Sequence, residues 1–379
     1  MKIAFIGQKG IPAKFGGVER HVEELAARMA KEGHQVFVYV RNNYTDKNLR
    51  KHRGVNLIHL PSIPTKHLDA ISHTFLATIH SLFQDYDVIH YQAIGPSSLS
   101  WIIKLLKRKT VLVSTFHCQD YYHQKWGWLA RKYLRFSERL ACEIPDKVIA
   151  VSETLCQRAA KKYEVSATLI PNGSKANVNF GNEALIKWNL KDKKYILFVG
   201  RLIKHKGVHY LIEAFKQMED TNKVANNFKL VVVGGGFYTD DYVKYLKTIS
   251  ENRDNIIFTG NQTGKILSQL FSHAYLFVQP SESEGMSIAL LEAMGYGIAP
   301  LVSDIKENLE AVGRAGFSFE AKNINDLKNK LAYLLNRESE VEMMGKKARK
   351  RAEEKFSWES IVKKTIQVYR DLAVGKKSK

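Results

Sequence analysis

The chain has little cysteine and no long hydrophobic run. Cys118, Cys142 and Cys156 form no CxxC pair and no Cys/His spacing typical of zinc. So sparse a set fits a reducing compartment. No stretch approaches the roughly 20 apolar residues that span a bilayer, and the apolar start MKIAFIGQKG is too short for a signal peptide. We therefore expect a cytoplasmic protein.

Acidic residues are also few. The 38 aspartates and glutamates stand against 58 lysines and arginines, which gives a formal net charge of +20 and a sequence pI of about 9.6. Such a field favours polyanions: nucleic acid, acidic lipid headgroups or phosphorylated substrates. A nucleic-acid-binding protein is one alternative on charge alone. We expect no nucleic acid, because the sequence has no helix-turn-helix pattern, zinc spacing or aromatic RNA-binding signature.

What the chain does have is an alternation of short apolar runs with longer amphipathic segments. In the first half an amphipathic helix is predicted over 18–31. The apolar runs predict strands of a parallel sheet covered on both faces, at 2–7, 35–40, 55–60, 87–92, 110–115 and 147–152.

The same alternation restarts after about residue 190. Strands are predicted at 195–200, 229–234, 255–260, 275–280 and 298–303. Helices are predicted at 208–219, 241–252, 264–273, 286–295, 304–311, 323–336, 338–354 and 358–374. A β-α alternation that begins twice predicts an α/β protein with two doubly wound, Rossmann-like domains that face each other.

The domain boundary is expected in a polar segment rich in Gly and Asn, over 170–182. We expect an N-terminal domain over 1–176, completed by the C-terminal helix at 358–379. The C-terminal domain is expected over 177–357.

Two glutamates follow the predicted strand at 275–280, on the sheet edge where doubly wound folds bind ligands. Glu284 and Glu292 are expected on roughly one face of a helix, about two turns apart. Because the run around Glu292 is apolar, its carboxylate needs a partner, such as a ribose diol. A capping carboxylate with a surface neighbour is the structural alternative, and we favour the functional interpretation.

The residues between the two glutamates suit an anion. Gly285 permits close approach of the backbone to a ligand. The first N–H groups of a helix point at a phosphate and carry partial positive charge. Here they are expected to be those of Met286, Ser287 and Ile288.

Two cations follow the predicted strand at 195–200. Arg201 comes directly after the strand, and Lys206 lies just before the next helix. A fork-shaped guanidinium and a compact ammonium at one sheet edge suit a diphosphate. A solvated basic loop is a serious alternative in so basic a chain, but the position after the strand favours function.

The first half contributes three weaker candidates. Gly16 and Gly17 open the helix at 18–31, where free N–H groups can hold an anion, although a plain flexible turn fits equally well. The spacing does not match GxGxxG, which disfavours a nicotinamide site. His117 follows the strand at 110–115, where it can hydrogen-bond a sugar or its phosphate. Taken alone, a histidine there is more often structural.

We expect no metal ion. Asp85-Tyr86-Asp87 resembles an Asp-x-Asp metal-binding motif. It precedes the strand at 87–92, however, and so lies at the amino end of the sheet, away from any ligand. We interpret it as a turn.

Together and in order, these residues resemble the retaining glycosyltransferases of family four, which have the GT-B fold. The resemblance covers nearly the whole chain and rests on GGVE (16–19), the strand end at His117, IPNG (170–173), VGR with KG (199–201 and 206–207), EGMSIALLE (284–292) and the SD of LVSD (301–304). GIPAKFGGVE and the segment 123–141 look most like the bacterial polysaccharide branch that includes rhamnosyltransferases. Two positions depart from the family: Cys118-Gln119 replaces a frequent Gly, and Met286 stands where Phe is common.

For the second domain the resemblance implies a site for a nucleotide-sugar donor, a UDP-, GDP- or dTDP-sugar. Arg201 and Lys206 would neutralise its diphosphate, and Glu292 would hold the ribose. Glu284 and the N–H groups after it would hold the donor sugar.

For the first domain the resemblance implies the acceptor side. His117 would contact the donor sugar, while Gly16 and Gly17 would approach the phosphates or the acceptor. The family retains anomeric configuration and needs no metal or other cofactor. The expected acceptor is a glycan, in particular a lipid-linked one, in cell-surface polysaccharide synthesis. A nucleotide-sugar epimerase of the same fold is the alternative enzyme, since it would use the same donor without an acceptor.

A basic and aromatic stretch in the first half suggests where such an acceptor is met. A helix of this composition can lie on an anionic membrane, here its inner face, as a peripheral protein. A solvated helix flank is the commoner meaning of a charge run. The stretch contains Lys125, Trp126, Trp128, Arg131, Lys132, Tyr133, Arg135 and Phe136, and a nearby helix ends in Lys104, Lys107, Arg108 and Lys109.

Overall fold

The computed structural model describes residues 1–122, 126–176, 178–220, 227–236 and 239–377. The chain forms two compact units. Unit 1 comprises Met1–Gly173 together with Trp358–Lys379, and unit 2 comprises Ser174–Ser357.

Unit 1 is built on an eight-stranded sheet in the order β3-β4-β2-β1-β5-β6-β7-β8. All neighbours pair in parallel except β3 and β4. The strands are β1 (Lys2–Ile6), β2 (Gln35–Arg41), β3 (Lys51–His52), β4 (Val55–Leu60), β5 (Val88–Gln92), β6 (Val111–Phe116), β7 (Lys147–Ala150) and β8 (Thr168–Leu169).

Helices cover both faces of this sheet. They are α1 (Gly17–Lys31), α2 (Asp69–Leu82), α3 (Ile94–Ser97), α4 (Ser100–Leu106), α5 (Trp128–Glu143), α6 (Glu153–Tyr163) and, from the C-terminus, α15 (Trp358–Lys377). Successive strand residues point to opposite faces, so unit 1 has two cores. Val38 and Val40 pack with α1 and α15, whereas Tyr39 packs with α2 and α4.

Unit 2 is built on a six-stranded parallel sheet in the order β11-β10-β9-β12-β13-β14. Its strands are β9 (Tyr195–Val199), β10 (Lys229–Val233), β11 (Ile256–Gly260), β12 (Leu276–Gln279), β13 (Ala299–Ser303) and β14 (Phe317–Phe319). Its helices are α7 (Glu183–Lys187), α8 (Val208–Glu219), α9 (Asp240–Ile249), α10 (Gly264–Ser272), α11 (Ile288–Gly295), α12 (Lys306–Val312), α13 (Ile324–Leu335) and α14 (Glu338–Lys355).

The predicted fold class is confirmed, and every predicted strand is present. The short strands β3, β8 and β14 escape the prediction, because two or three residues carry no periodicity. The expected linker at 170–182 begins as packed structure: Ile170 and Asn172 are buried in unit 1. No helix in the described part of the chain is long and apolar enough to cross a bilayer.

Candidate active site

The turn between β9 and α8 lies tightly against the end of β12. Gly207 has φ +71°, and a side chain there would overlap the carbonyl oxygen of Pro280. Close approach therefore requires glycine, which explains the KG pair of the sequence. Lys206 and Arg201 are each half-buried in this turn. The Arg201 side chain has no hydrogen-bond or ion-pair partner among the described residues, so its guanidinium is available to an anion.

Lys206 is paired with Glu284. Its Nζ donates to both carboxylate oxygens, at 2.6 Å and 2.7 Å. Burial acts to raise the pKa of Glu284, but the Lys206 ammonium and a hydrogen bond from Ser281 outweigh it and hold this pKa below its usual value. The pair brings together two predicted site residues from separate loops, and it leaves Lys206 one N–H for a further acceptor.

A buried hydrogen-bond network holds the Glu284 carboxylate. Its Oε1 accepts from the Ser281 hydroxyl at 2.6 Å and from Gln279 Nε2 at 2.5 Å. The Ser303 hydroxyl donates to the Ser281 carbonyl at 2.5 Å and accepts from Asn308 Nδ2 at 2.9 Å. All four supporting residues are at most 1% exposed. A satisfied polar network in a low-dielectric interior fixes the orientation of the side chain that it surrounds.

Gln279, Ser281 and Asn308 were not among the predicted site residues. Ser303 was noted only as part of the SD pair at 303–304. The available signal was the position of Gln279 and Ser281 at the carboxyl end of β12 and of Ser303 at that of β13, whereas Asn308 lies in α12 and carried none. Uncharged side chains at such positions are too common for that signal to select them.

The predicted relation between Glu284 and Glu292 is wrong. Helix α11 begins at Ile288, and Ser287 is its N-cap, with a hydroxyl that accepts from the Leu290 N–H at 3.4 Å. Glu284 therefore lies in the preceding loop and shares no helix face with Glu292. The helix starts two residues later than expected because Ser287 has extended backbone angles and caps it.

The other residues of this segment surround the helix start. Met286, Ser287 and Ile288 are buried, and Gly285 lies between them and Glu284. Met286 lies in the loop, Ser287 is the N-cap and Ile288 is the first helical residue. The expectation that all three N–H groups belong to the helix is therefore wrong, and only the Ile288 N–H does. Glu292 is half-buried in the second turn of α11.

In unit 1, His117 follows β6 and is 6% exposed. Its Nε2 lies 2.8 Å from Gln92 Oε1, and its ring packs edge-on against His21 at 4.9 Å between centroids. Burial, with the neighbouring His21, lowers the pKa of His117 well below the ordinary value of 6.5. The ring is therefore neutral. If Gln92 Oε1 accepts the Nε2 proton, then Nδ1 is the acceptor nitrogen.

Gly16 and Gly17 lie at the start of α1, as predicted. Gly16 is the N-cap with φ +100°, a conformation that favours glycine. The Glu19 carboxylate lies against Gly16 and accepts from the Lys9 N–H at 3.1 Å. A carboxylate thus already lies beside this helix start, which makes it less favourable for a phosphate than the sequence suggests.

The Asp85–Asp87 segment is a turn at the amino edge of the sheet, as predicted. Asp87 Oδ2 accepts from the Lys2 N–H at 2.7 Å, where β1 begins. Among the described residues, no three His, Cys, Asp or Glu side chains are grouped to hold a metal ion.

Two family models match consecutive parts of the chain. Glycosyltransferase Family 4 matches residues 15–176, and Glycosyl transferases group 1 matches residues 182–351. An uncharacterized glycosyltransferase of Methanocaldococcus jannaschii is 27% identical and covers 98% of both chains. The alpha-monoglucosyldiacylglycerol synthase of Streptococcus pneumoniae is 26% identical over 74% of this chain and 66% of its own.

Solved structures share the fold. The sucrose-phosphate synthase of Thermosynechococcus elongatus superposes with a TM-score of 0.82 at 22% identity, over 99% of both chains. Anabaena HepE in complex with UDP and glucose gives a TM-score of 0.79 at 20% identity, over 98% of this chain and 100% of its own. At these identities the likeness shows the fold, which has two Rossmann-like domains with parallel sheets.

Proposed function

Because the chain belongs to the GT-B glycosyltransferases, with a family 4 module followed by a group 1 module, we propose that it moves a sugar from a UDP-, GDP- or dTDP-sugar to a glycan acceptor with retention of configuration. The observation that carries the proposal is the Lys206–Glu284 pair, held by buried polar side chains at the carboxyl edge of the unit 2 sheet. A buried ion pair costs desolvation energy, and ionisable groups with shifted pKa values cluster at functional sites. The pair therefore supports an active site at this position.

The donor diphosphate is assigned to Arg201, Lys206 and the start of α11. A leaving diphosphate develops negative charge in the transition state, and fixed donors stabilise it. Arg201 supplies a guanidinium without a described partner, and Lys206 supplies its remaining N–H. The Ile288 N–H adds the partial positive charge of a helix start.

The donor sugar and ribose are assigned to the segment after β12. Glu284 Oε1 already accepts three hydrogen bonds, whereas Oε2 accepts only from Lys206. Oε2 is therefore the atom that we assign to a sugar hydroxyl, with the backbone of Gly285, Met286 and Ser287 beside it. Glu292 is assigned to the ribose diol, which its half-buried position in α11 supports.

In unit 1 we assign His117 to the donor sugar, and Gly16 and Gly17 to the phosphates or the acceptor. The neutral His117 ring offers one accepting nitrogen to a sugar hydroxyl. Departure of the diphosphate and attack of the acceptor are proposed on the same face of the sugar, without a metal ion and with the diphosphate assisting proton removal. The anomeric configuration of the product, measured by NMR, tests retention, and trapping a glycosylated Asp or Glu would contradict this route.

A nucleotide-sugar screen tests the donor site. Thermal unfolding is measured with UDP-, GDP- and dTDP-sugars for the wild type, Glu292→Ala and Glu340→Ala, a control on the surface of unit 2. A ligand at 100 times its Kd stabilises the folded state by about 2.7 kcal/mol. We expect one base class to raise the Tm of the wild type and the control, but not of Glu292→Ala. No shift with any donor, or an equal shift in Glu292→Ala, would refute the assignment. Turnover of the donor to an epimer without acceptor would favour the epimerase.

We further propose a lipid-linked acceptor, met at the cytoplasmic face of an anionic membrane. Helix α4 contacts both α2 and α5 on one face of the unit 1 sheet. Together they present the α2–α4–α5 surface, whose exposed large apolar side chains are Phe75, Leu76, Phe83, Trp101, Leu105, Leu106, Trp128, Leu129, Tyr133 and Phe136. Basic side chains interleaved with apolar ones suit an anionic bilayer surface.

The charges on this surface are fewer than the sequence suggests. Lys104 pairs with Asp146, and Lys107 donates to the Gln84 carbonyl, so neither is free for lipid. Arg131, Lys132 and Arg135 are exposed on α5, as are Arg108 and Lys109 after α4. Lys125 lies outside the described residues.

Vesicle flotation tests the membrane proposal. Arg131→Glu/Lys132→Glu is compared with Lys346→Glu/Lys350→Glu, which makes the same charge change on exposed residues of α14. We expect the wild type and the control to float with anionic vesicles and the α5 variant to lose most of this binding. Equal flotation of both variants, or no preference of the wild type for anionic over neutral vesicles, would refute it.

A further inference from the structure

A group of polar side chains in unit 1 is distinct from every residue assigned above. The Arg41 cluster comprises Gln8, Arg41, Asn42, Asp69 and His73. Gln8 follows β1, Arg41 ends β2 and Asn42 follows it, while the other two lie in the first turns of α2. Because β1 and β2 are parallel neighbours, their carboxyl ends bring these residues to the sheet edge where such folds bind ligands.

An ion pair organises the cluster. Arg41 Nη1 donates to Asp69 Oδ2 at 2.6 Å, and its Nη2 lies 3.4 Å from the Gly7 carbonyl oxygen. Asp69 Oδ1 accepts from the Ser62 hydroxyl at 2.6 Å and from Asn43 Nδ2 at 3.2 Å. Burial acts to raise the pKa of Asp69, but Arg41 and these donors hold it below its usual value. The pair is therefore ionised on both sides and has no net charge.

Several atoms of the cluster are left without a hydrogen-bond partner among the described residues. They are Gln8 Oε1, Arg41 Nε, Asn42 Oδ1 and one ring nitrogen of His73, whose other ring nitrogen is within reach of the Val40 carbonyl. Gln8 is 1% exposed, Arg41 4% and His73 0%. Buried polar atoms are usually paired, and each unpaired one costs about 1–3 kcal/mol. Proteins tolerate such unpaired polar atoms mainly at functional sites, so this edge of the sheet is a candidate binding site.

The chemistry of these atoms selects the ligand. Burial and the nearby Arg41 lower the pKa of His73 to about 4, so its ring is neutral; with its one N–H directed at the Val40 carbonyl, it offers the other nitrogen as an acceptor. Arg41 Nε is a donor, and the amide oxygens of Gln8 and Asn42 are acceptors. A hydroxyl group both donates and accepts, so a polyhydroxylated ring satisfies this mixture. A phosphate or carboxylate would need an uncompensated cation, which the Arg41–Asp69 pair does not offer.

We propose that the Arg41 cluster binds the hydroxyl groups of a neutral sugar in the glycan acceptor, an inference that rests on the glycosyltransferase function proposed above. Exposure increases from the buried Arg41 and His73 through the half-buried Asn42 and Asp69 to the exposed Asn43. The sugar approaches from the Asn43 side and contacts Asn42 and Asp69 first. Arg41 Nε and the His73 ring are buried in the unliganded structure, so the sugar reaches them only when the side chains above them move aside.

Direct binding of defined sugars tests the proposal. Saturation-transfer NMR measures binding of methyl glucoside, galactoside, mannoside and rhamnoside, with methyl glucuronide and glucose 6-phosphate for comparison. The wild type is expected to bind at least one neutral glycoside more tightly than either anionic sugar. Asn42→Ala removes an oxygen with no described partner, and it should weaken that binding at least tenfold without lowering Tm.

His73→Leu gives a second variant in which binding and stability change in opposite directions. The substitution removes one unpaired buried nitrogen and one hydrogen bond to the Val40 carbonyl, so Tm should stay unchanged or rise slightly, while binding of the neutral glycoside falls at least tenfold. A purely structural histidine would give a lower Tm or unchanged sugar binding. Either result, or tighter binding of the anionic sugars, or no binding of any neutral glycoside, would overturn the proposal.

Two controls separate this inference from the proposed function. UDP-, GDP- and dTDP-sugar binding is measured in the same variants and should match the wild type, because no residue assigned to the donor belongs to the Arg41 cluster. If no donor binds the wild type, the proposed function fails by itself. Glu284→Gln should leave the glycoside bound. Loss of binding there, with binding kept in Asn42→Ala, would place the sugar in the donor site and refute the Arg41 cluster as its site.

Discussion

At the scale of single residues, Gly173 is required by packing and not by its backbone angles. A side chain there would overlap the indole of Trp358, which is 2% exposed in the core of unit 1. We predict that Gly173→Ala destabilises unit 1 by about 1–3 kcal/mol, because the ring must shift in a packed core. Urea unfolding measures the change. Gly375→Ala is the control, since nothing lies within 4 Å of the added carbon; equal midpoints for the two variants would contradict the packing argument.

Ser281 shows how a small side chain can position a charged one. Its hydroxyl donates to Glu284 Oε1 and accepts from Gln279 Nε2. Loss of a hydrogen bond to a charged group costs about 1.5–3 kcal/mol. We therefore predict that Ser281→Ala lowers Tm and, because Glu284 is no longer held in place, also weakens nucleotide-sugar binding at least tenfold in calorimetric titration.

The matched control for this prediction is Ser250→Ala, which removes a buried serine hydroxyl of unit 2 that donates to the Leu246 carbonyl. That variant should keep the donor affinity of the wild type. Equal affinities in Ser281→Ala and Ser250→Ala would show that Ser281 does not position Glu284.

Some residues of the candidate site could be predicted from the sequence and others could not. Position after a strand identified Lys206 and Glu284, which the structure brings into contact, because charged side chains at strand ends are conspicuous. The same rule could not select Ser281 or Asn308. Their importance comes from burial and mutual hydrogen bonds, which only the tertiary structure creates.

At the scale of elements, hydrophobic periodicity identified the longer strands and most helices of unit 2, since covered parallel strands are apolar runs. It misplaced the start of α11 because helix termini depend on capping and not on periodicity. The eight-residue spacing, in turn, wrongly suggested that Glu284 shares a helix face with Glu292. The true place of Glu284 in a loop lets its carboxylate meet Lys206 from the neighbouring strand end.

A buried polar contact helps to anchor helix α15 to the unit 1 sheet. The Tyr369 hydroxyl lies 2.6 Å from His90 Nδ1, both residues are fully buried, and burial lowers the pKa of His90 well below its ordinary value. We predict that Tyr369→Phe destabilises unit 1 by about 1–3 kcal/mol, because it leaves a buried nitrogen unpaired. The exposed Tyr333→Phe is the control for urea unfolding. A Tyr369→Phe protein as stable as the control would refute this role of the contact.

At the scale of the whole molecule, the high net charge does not decide the fold. The sequence predicted two Rossmann-like domains from periodicity alone, and charge entered only in the choice of ligands. Buried ionisable groups, by contrast, could not be predicted, since a histidine in a sequence carries no mark of its burial. His21 and His73 are such groups: they are 3% and 0% exposed.

These histidines make stability depend on pH. Burial lowers the pKa of both His21 and His73 from 6.5 to about 4. As pH falls below 6.5 the unfolded chain takes up their protons, whereas the folded chain does so only near pH 4. Each therefore reduces stability by about 1.4 kcal/mol per pH unit across that window.

The expected result is a free energy of unfolding in urea that falls from pH 6.5 to pH 4.5, with little change between pH 7.5 and 6.5 from these two groups. His73→Leu removes one of them and should reduce the slope below pH 6 by about 1.4 kcal/mol per pH unit, while an exposed substitution such as His67→Leu should leave it unchanged. The same slope in His73→Leu and the wild type would mean that His73 is protonated in the folded protein. The neutral ring nitrogen that His73 offers as an acceptor in the Arg41 cluster would then not exist.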